Sequence, residues 1–118
     1  MSLFLIVLSH SSLDSATPEN KSLRIRAMLF DWDDEKAESN LIKHNVSFDE
    51  ATSVFDDPLF LTFKDPEHSL REQRFIIMGE SAKGRLLVVA YTERASTTRL
   101  ISARPVTRSE RKAYESDL

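Results

Sequence analysis

The amino-acid sequence predicts an α+β domain, and three observations support this fold class. Two segments with helix patterning lie close together in the first half of the chain, and a third lies at its C-terminal end. Short apolar runs rich in aromatic and branched residues lie between them and predict strands. The intervals between these runs suit hairpins, so the sheet should be mainly antiparallel. A length of 118 residues, with 41% hydrophobic and 30% charged, fits one globular domain.

The first 27 residues lack the patterning of the rest of the chain. The apolar run at residues 3–8 is too short to span a bilayer and has no basic segment before it, which disfavours a secretory signal. A polar stretch with turn residues follows. We therefore expect a flexible or non-core extension at residues 1–27 and a single compact domain at residues 28–118. The extension is interpreted as a disordered tail, an added edge strand or the product of an upstream start codon.

The compact domain is predicted to begin with a strand at residues 29–32, which a helix follows at once. Asp33 suits the N-cap of that helix, and the acidic residues of the first turn suit the positive end of the helix dipole. Asn45 is expected to take the left-handed conformation at the helix end, where its short amide side chain is tolerated.

A second helix is predicted from a capping box, in which Ser47 precedes Glu50 by three residues. Pro58 stops this helix because the residue before a proline is disfavoured in the helical conformation. Thr107 and Glu110 have the same capping-box spacing and predict the start of a final helix. Four strands are predicted between the second and final helices, at residues 59–63, 72–79, 85–92 and 98–104.

Residue counts exclude several kinds of chemistry. The sequence has no cysteine, so it forms neither a disulfide nor a cysteine metal site. Its two glycines, Gly79 and Gly84, cannot make a glycine-rich phosphate loop. The three histidines do not have the spacing of metal ligands on one helix. We therefore expect no metal site and no cofactor.

Charge is distributed unevenly along the chain. Residues 30–70 contain eleven acidic and three basic residues, whereas residues 71–112 contain ten basic and four acidic residues. Such asymmetry indicates either a polyanionic or acidic partner, or two halves that neutralise each other in the fold.

Arginines, hydroxyls, a few carboxylates and one helical histidine remain as candidates, and they suit metal-free cleavage of RNA. A 2′-hydroxyl can attack its neighbouring phosphate if a base takes its proton and cations stabilise the added charge. Arginine suits this task because its planar guanidinium binds two phosphate oxygens at once. Arg74 begins one predicted strand and Arg94 lies just past the end of the next, so a hairpin would bring both to one end of the sheet. The alternative for each arginine is a structural surface charge, and His44 is also explained as a cation at a helix C-terminus.

The chain resembles the BrnT family of bacterial toxins in three blocks, "FDWDDEKAESNLIKHNVSFDEATSVFDDP", "HSLREQRFIIMG" and "LLVVAYTERASTTRLISARPVTRSERKAYE". The resemblance covers about residues 30–115. It implies a RelE-like microbial RNase fold, with two N-terminal helices and a C-terminal helix packed against a mainly antiparallel sheet. It also implies a type II toxin–antitoxin toxin, a metal-independent endoribonuclease that cleaves RNA and inhibits translation.

The same resemblance implies a BrnA-like antitoxin that neutralises the toxin, with toxin and antitoxin together forming a heterotetramer. Operator DNA would then be contacted only indirectly, through the antitoxin. The protein would act in the cytoplasm and bind no membrane.

The family's recurrent polar positions fall on four pairs of residues in this sequence. We assign catalytic roles to Arg74, Arg94, His44, Glu72 and Thr92, and RNA-binding roles to Lys43, Arg99 and Arg104. The base could be His44 or Glu72, or the mechanism could be purely electrostatic. Asn45 stands where the family usually has glycine, and the 27-residue extension is atypical. Two other functions stay open: a catalytically silent antitoxin-binding and co-repressor module, and a small nucleic-acid-binding domain.

Overall fold

The structure, a computed structural model, describes residues 2–7, 28–65 and 72–116, with residues 2–7 and 28 described by their main chain only. The strands are β1 (Ser2–Val7), β2 (Met28–Asp33), β3 (Leu61–Lys64), β4 (Arg74–Glu80), β5 (Leu86–Arg94) and β6 (Thr97–Pro105). The helices are α1 (Asp34–His44), α2 (Phe48–Thr52), a 3-10 helix (Ser53–Asp56) and α3 (Arg108–Ser116).

The described strands form one sheet in the order β1-β2-β6-β5-β4-β3. Every neighbouring pair is antiparallel except β2 and β6, which run parallel over residues 29–31 and 97–99. The predicted α+β class and mainly antiparallel sheet are therefore confirmed. Strand β1 lies within the N-terminal extension and pairs with β2 along its whole length at one edge of the sheet.

Helices α1 and α2 pack on one face of the sheet and bury the larger core. Phe30 and Leu100 from the sheet are almost fully buried there, together with Val46 and Phe48 from the helical segment. Phe55 makes edge-on contacts with Phe30 and Tyr91, with ring centroids 5.0 Å apart in each pair. A smaller core forms on the opposite face, where Tyr114 of α3 packs with Met78, Leu86 and Val88.

Asn40 is the polar side chain that attaches α1 to the sheet. Its amide group donates to the carbonyls of Val46 and Ala103, at 2.9 and 2.8 Å, and its oxygen accepts from the Ala103 N–H at 3.0 Å. Because β2 pairs with β6 only near the start of β6, the main chain at Ala103 needs another partner. Asn40 supplies that partner and is itself buried.

The predicted helix signals are confirmed at α1 and α3. The side chain of Asp33 accepts from the Glu35 N–H, and Asn45 is left-handed with φ 57°. The capping box before α3 is reciprocal: Thr107 accepts from the Glu110 N–H at 3.2 Å, and Glu110 accepts from the Thr107 N–H at 2.8 Å.

The second predicted helix is shorter than expected. Ser47 caps it through the Glu50 N–H at 3.0 Å, but the carboxylate of Glu50 binds Arg85 and Ser81. The α-helix ends at Thr52 and continues as the 3-10 helix. Glu50 thus joins the helical segment to the β4–β5 turn, and the Arg85 hydrogen bond lowers the pKa of Glu50.

Three strand boundaries were wrong in the prediction by two residues. Strand β4 begins at Arg74 rather than at residue 72, so Glu72 lies just before the strand. Strand β3 begins at Leu61 because Asp57 first holds a turn, accepting from the Leu59 N–H through its side chain and from the Phe60 N–H through its carbonyl. Strand β5 extends to Arg94, which was predicted to lie in the following loop. The turn after it contains Ala95 at φ 46°. Within the described part of the chain, no helix is long and apolar enough to cross a membrane.

Candidate functional site on the arginine face

Strand pairing aligns three of the predicted site residues in one row across the sheet. Thr92 of β5 lies opposite Arg74 of β4 on one side and opposite Arg99 of β6 on the other. Asp31 of β2 continues the row, opposite Arg99. Neighbouring strands lie about 4.8 Å apart, so the row spans roughly 14 Å.

This row lies on the sheet face opposite α1 and α2, because side chains alternate along each strand. Tyr91 and Leu100 point into the large core, so their neighbours Thr92 and Arg99 point away from it. Arg94 lies two residues beyond Thr92 and therefore on the same side. We call this side of the sheet, defined by Arg74, Thr92, Arg94, Arg99 and Arg104, the arginine face.

A β-bulge in β6 brings Arg99 and Arg104 to the same face. Tyr91 pairs with Leu100 but Ala90 pairs with Ser102, so Ile101 is an extra residue in β6. Arg99 and Arg104 are five positions apart and would point to opposite faces of a regular strand. Because of the extra residue, every later side chain of β6 points to the face opposite the one it would have in a regular strand.

Arg94 and Glu72 form a bidentate ion pair at the edge of the site. Arg94 Nε lies 2.6 Å from Glu72 Oε2, and its terminal nitrogen lies 3.0 Å from Oε1. Both side chains are almost half exposed. The Arg94 hydrogen bond is the main cause of the lowered pKa of Glu72, and Arg99 and Arg74 lower it further through their charge. Glu72 is therefore a carboxylate surrounded by guanidinium groups.

Asp31 and Arg99 form a second, more buried ion pair that the sequence prediction missed. Arg99 Nη1 donates to Asp31 Oδ2 at 3.0 Å. Asp31 Oδ1 is buried and has no hydrogen-bond partner among the described residues. One signal could have found this residue: Asp31 stands between Phe30 and Trp32, two buried aromatic residues. In a strand that alternation directs Asp31 to the opposite face from its neighbours.

Thr92 is buried beneath Arg74, Arg94 and Arg99, which we call the arginine cluster. Thr92 is only 2% exposed, and its hydroxyl donates to the Gln73 carbonyl at 2.7 Å. The bond fixes the main chain between Glu72 and Arg74. Thr92 is therefore placed to hold these two side chains in position.

Arg104 lies on the same face but away from the cluster. It pairs in register with Val88, six residues before Arg94 on β5, which places it about 20 Å from Arg94 along the strand. Both terminal nitrogens of Arg104 bind Glu110 at 2.8 Å. The structure thus places Arg104 beside α3.

Lys43 and His44 are not brought to the cluster. They occupy the last turn of α1, which packs on the other face of the sheet. The carbonyl of the next residue, Asn45, accepts from Arg85 at 2.9 Å. Arg85 lies just before β5 and Arg94 ends it, so the two are separated by about 30 Å of strand. His44 therefore cannot contact the same phosphate as Arg94.

The cluster provides positive charge with rigid support. Arg74, Arg94 and Arg99 come from three adjacent strands, and the carboxylates of Glu72 and Asp31 hold two of them by ion pairs. Guanidinium groups in such an arrangement suit oxygens of a phosphodiester. Among the residues that the structure describes, no group of three or more histidine, aspartate or glutamate side chains is arranged to hold a metal ion.

The fold is that of a small α+β domain in which arginines from adjacent strands lie on one face of the sheet. Residues 32–110 match the family model for the ribonuclease toxin BrnT of type II toxin–antitoxin systems. The chain therefore belongs to the BrnT family of ribonuclease toxins.

One solved structure supports the fold independently. The crystal structure of the Brucella abortus ribonuclease toxin BrnT, at 1.1 Å resolution, matches with a TM-score of 0.51 and 20% sequence identity. The match covers 65% of this chain and 94% of the Brucella chain. At this identity the likeness shows the shared fold. Comparison with curated proteins gives no match.

Proposed function

We propose that the arginine face is the RNA-cleaving site of an endoribonuclease toxin that needs no metal ion. The observation that carries the proposal is the cluster of Arg74, Arg94 and Arg99 on one face of the sheet, with Glu72 bound to Arg94. The family supplies the ribonuclease class. The geometry supplies a location where a phosphodiester would meet three guanidinium groups.

In the proposed reaction, a 2′-hydroxyl of the RNA attacks the adjacent phosphorus. The pentavalent intermediate has more negative charge than the substrate, and arginines held in advance stabilise that charge without having to reorganise. Arg94 and Arg74 bind the non-bridging oxygens. Arg99, held by Asp31, binds the same phosphate or the next one. The products are a 2′,3′-cyclic phosphate and a 5′-hydroxyl.

Glu72 is the carboxylate best placed to take the proton of the 2′-hydroxyl. In the free protein, Arg94 lowers the pKa of Glu72, which makes this carboxylate a weak base. A bound phosphate would compete for Arg94 and weaken that hydrogen bond. The pKa of Glu72 would then rise towards its ordinary value, so substrate binding itself would strengthen the base. The departing 5′-oxygen would take its proton from solvent.

We further propose that the protein acts in the cytoplasm, inhibits translation by cutting RNA and is neutralised by a BrnA-like antitoxin in a heterotetramer. The type II toxin–antitoxin family supports an antitoxin partner. Lys43 and His44, which lie at a distance from the cluster, would then contact RNA beyond the scissile phosphate or belong to another surface.

Arg94→Ala tests the proposed site. Loss of one charge-stabilising group held in place should slow RNA cleavage about 100- to 1000-fold. Stability should change little, because the Arg94–Glu72 pair is exposed and such pairs contribute little. Cleavage is measured with purified protein, with melting curves alongside.

Arg108→Ala is the matched control, since Arg108 is an exposed arginine at the start of α3. It should leave cleavage nearly intact. The proposed site is wrong if Arg94→Ala cleaves as fast as the parent, or loses activity only because it unfolds. A parent protein that binds antitoxin but neither cleaves RNA nor stops growth would support the silent binding module instead.

A further inference from the structure

A groove lies on the arginine face between the edge of the sheet and α3. Its cavity volume is about 300 Å³. Ile76, Met78 and Val88 form an apolar floor, and Phe63, Ser109 and the Arg104–Glu110 pair form much of the rim. We call this cavity the α3 groove. Its size lies at the lower end of the range for small-ligand pockets.

Phe63 connects the groove to the arginine cluster. Phe63 lies on β3, opposite Ile76 of β4, and is 46% exposed. Arg74 is two residues from Ile76 on the same strand and faces the same side, about 7 Å away along β4. The groove and the cluster are thus consecutive parts of one surface.

We propose that the α3 groove binds a nucleobase of the RNA strand whose phosphate is held by Arg74 and Arg94, with the ring of Phe63 stacking on the base. This inference rests on the proposed ribonuclease site. Single-stranded RNA is commonly bound through bases that stack on aromatic side chains while the backbone follows positive charge. The aromatic ring of Phe63 and the positive charge of the arginine cluster lie on one face here. An RNA strand that crosses the sheet would meet them one after the other.

The chemistry of the groove suits a base. A base is a flat ring with polar edges, so it needs an apolar wall and hydrogen-bonding groups at the rim. Met78 and Val88 are buried and lie in the apolar floor of the groove, which supplies this surface. The Ser109 hydroxyl and the guanidinium of Arg104 stand at the rim. Arg104 and Glu110 offset each other's charge, so the rim does not repel an RNA strand arriving from the cluster.

The test measures binding of an oligonucleotide that cannot be cleaved. The probe is a fluorescent single-stranded RNA with 2′-O-methyl groups, together with a series in which each position in turn is abasic. Phe63→Ala should weaken binding of the full oligonucleotide about 5- to 150-fold, as expected for loss of one stacked base. One abasic oligonucleotide should bind the parent equally weakly, and Phe63→Ala should weaken its binding no further. Phe63→Trp should bind at least as tightly as the parent.

Phe60→Ala is a matched control, because Phe60 is 44% exposed but does not line the groove. It should bind the full oligonucleotide like the parent. Equal losses in Phe60→Ala and Phe63→Ala, or a loss in Phe63→Ala that is the same for every abasic probe, would overturn the proposal. So would a Phe63→Ala protein that binds RNA normally but loses the antitoxin, which would identify the groove as a protein-docking surface.

The experiments distinguish rejection of the groove proposal from rejection of the proposed cleavage site. If Arg94→Ala loses cleavage while Phe63→Ala binds RNA like the parent, only the groove proposal is rejected. If Arg94→Ala retains full cleavage, the cleavage site itself is rejected.

Discussion

Asp31 shows how a single residue links the core to the charged surface. Its neighbours Phe30 and Trp32 are buried among the helices, while its carboxylate binds Arg99 on the other face. Asp31 Oδ1 is buried and none of the described residues gives it a hydrogen bond, and an unpaired buried oxygen normally destabilises a fold. We infer that this cost is offset by the orientation that Asp31 imposes on Arg99.

Asp31→Asn should therefore lower both stability and activity. The amide can still accept a hydrogen bond from Arg99 but lacks the charge, and its NH₂ group enters a buried position. We expect the free energy of unfolding to fall by about 1–2 kcal/mol. Cleavage should fall about 10- to 100-fold, because a misplaced Arg99 fits the phosphate poorly. Urea unfolding and RNA cleavage are the measurements.

Glu93→Gln provides the comparison for that experiment, because it removes an exposed carboxylate from β5, on the other side of β6 from Asp31. It should leave both quantities near those of the parent. Unchanged cleavage in a well-folded Asp31→Asn protein would show that Arg99 needs no carboxylate to hold it.

At the scale of elements, α3 is attached to the rest of the domain by polar contacts at both of its ends, to β6 at its start and to the turn before β3 towards its end. At its start, Glu110 completes the capping box and binds Arg104. Towards its end, the hydroxyl of Tyr114 donates to Asp57 Oδ2 at 2.6 Å. Burial and this hydrogen bond raise the pKa of Tyr114 to about 12. The side of the α3 groove that α3 itself forms, with Ser109, Glu110 and Ala113, therefore depends on both contacts.

The attachment at Glu110 predicts a pH dependence of stability. The hydrogen bond from Arg104 is the main reason that the pKa of Glu110 falls from 4.5 to about 2. Because the folded-state pKa is depressed, the stabilisation is present above pH 4.5 and is lost as the pH falls towards about 2. Because Arg104 is partly exposed, solvent screening reduces the stabilisation from this ion pair to about 1 kcal/mol.

Glu110→Gln should consequently melt at a lower temperature than the parent at pH 7. The difference should narrow between pH 4.5 and pH 2, as the parent loses its carboxylate. Thermal unfolding across this range provides the measurement. Glu115→Gln is the control, since Glu115 is exposed and lies 3.7 Å from Arg111. Melting curves that stay equally far apart at every pH would contradict the assigned role of Glu110.

At the scale of the whole molecule, the charge asymmetry of the sequence has two explanations, and the structure supports part of each. Arg85–Glu50 and Arg99–Asp31 join the basic half to the acidic half, so some charge is neutralised within the fold. Arg94–Glu72 and Arg104–Glu110 are pairs within the basic half. Arg74, Arg94 and Arg99 lie together on one face of the sheet, where we propose that they bind phosphate.

The division of the chain into an extension and a compact domain remains a proposal. The family match begins at residue 32, and 65% of this chain is enough to cover 94% of the Brucella toxin. Strand β1, however, pairs with β2 from Ser2↔Asp33 to Val7↔Met28. If β1 were removed, the pairing that the structure describes for β2 would be reduced to three residues, 29–31, which run parallel to β6.

Deleting residues 1–27 should leave a folded and active domain, because the described core runs from Phe30 to Tyr114. Phe30 and Trp32 should keep β2 in place through their burial. We expect one cooperative thermal transition, at a lower midpoint than in the full chain, and RNA cleavage close to that of the full chain. Loss of the cooperative transition would show that β1 is an integral part of the sheet.

The sequence by itself determined those features that depend on neighbouring residues. The N-cap at Asp33, the left-handed Asn45 and the reciprocal capping box of Thr107 and Glu110 all occur as predicted. Each involves hydrogen bonds across a single helical turn, so local residue types are sufficient to specify them. The apolar runs of the strands could also be recognised from the sequence, because they too involve residues close together in the chain.

Only the tertiary structure decided which polar residues meet. Arg74, Thr92 and Arg99 align because three strands pair in one register, and Arg104 shares their face because the bulge at Ile101 shifts the alternation by one residue. His44 lies on the far face although family resemblance grouped it with these residues. Register and bulges result from the packing of distant segments, whose combined burial outweighs any local preference. The order of residues along the chain does not show which distant segments will pack together, so register and bulges are known only from the folded structure.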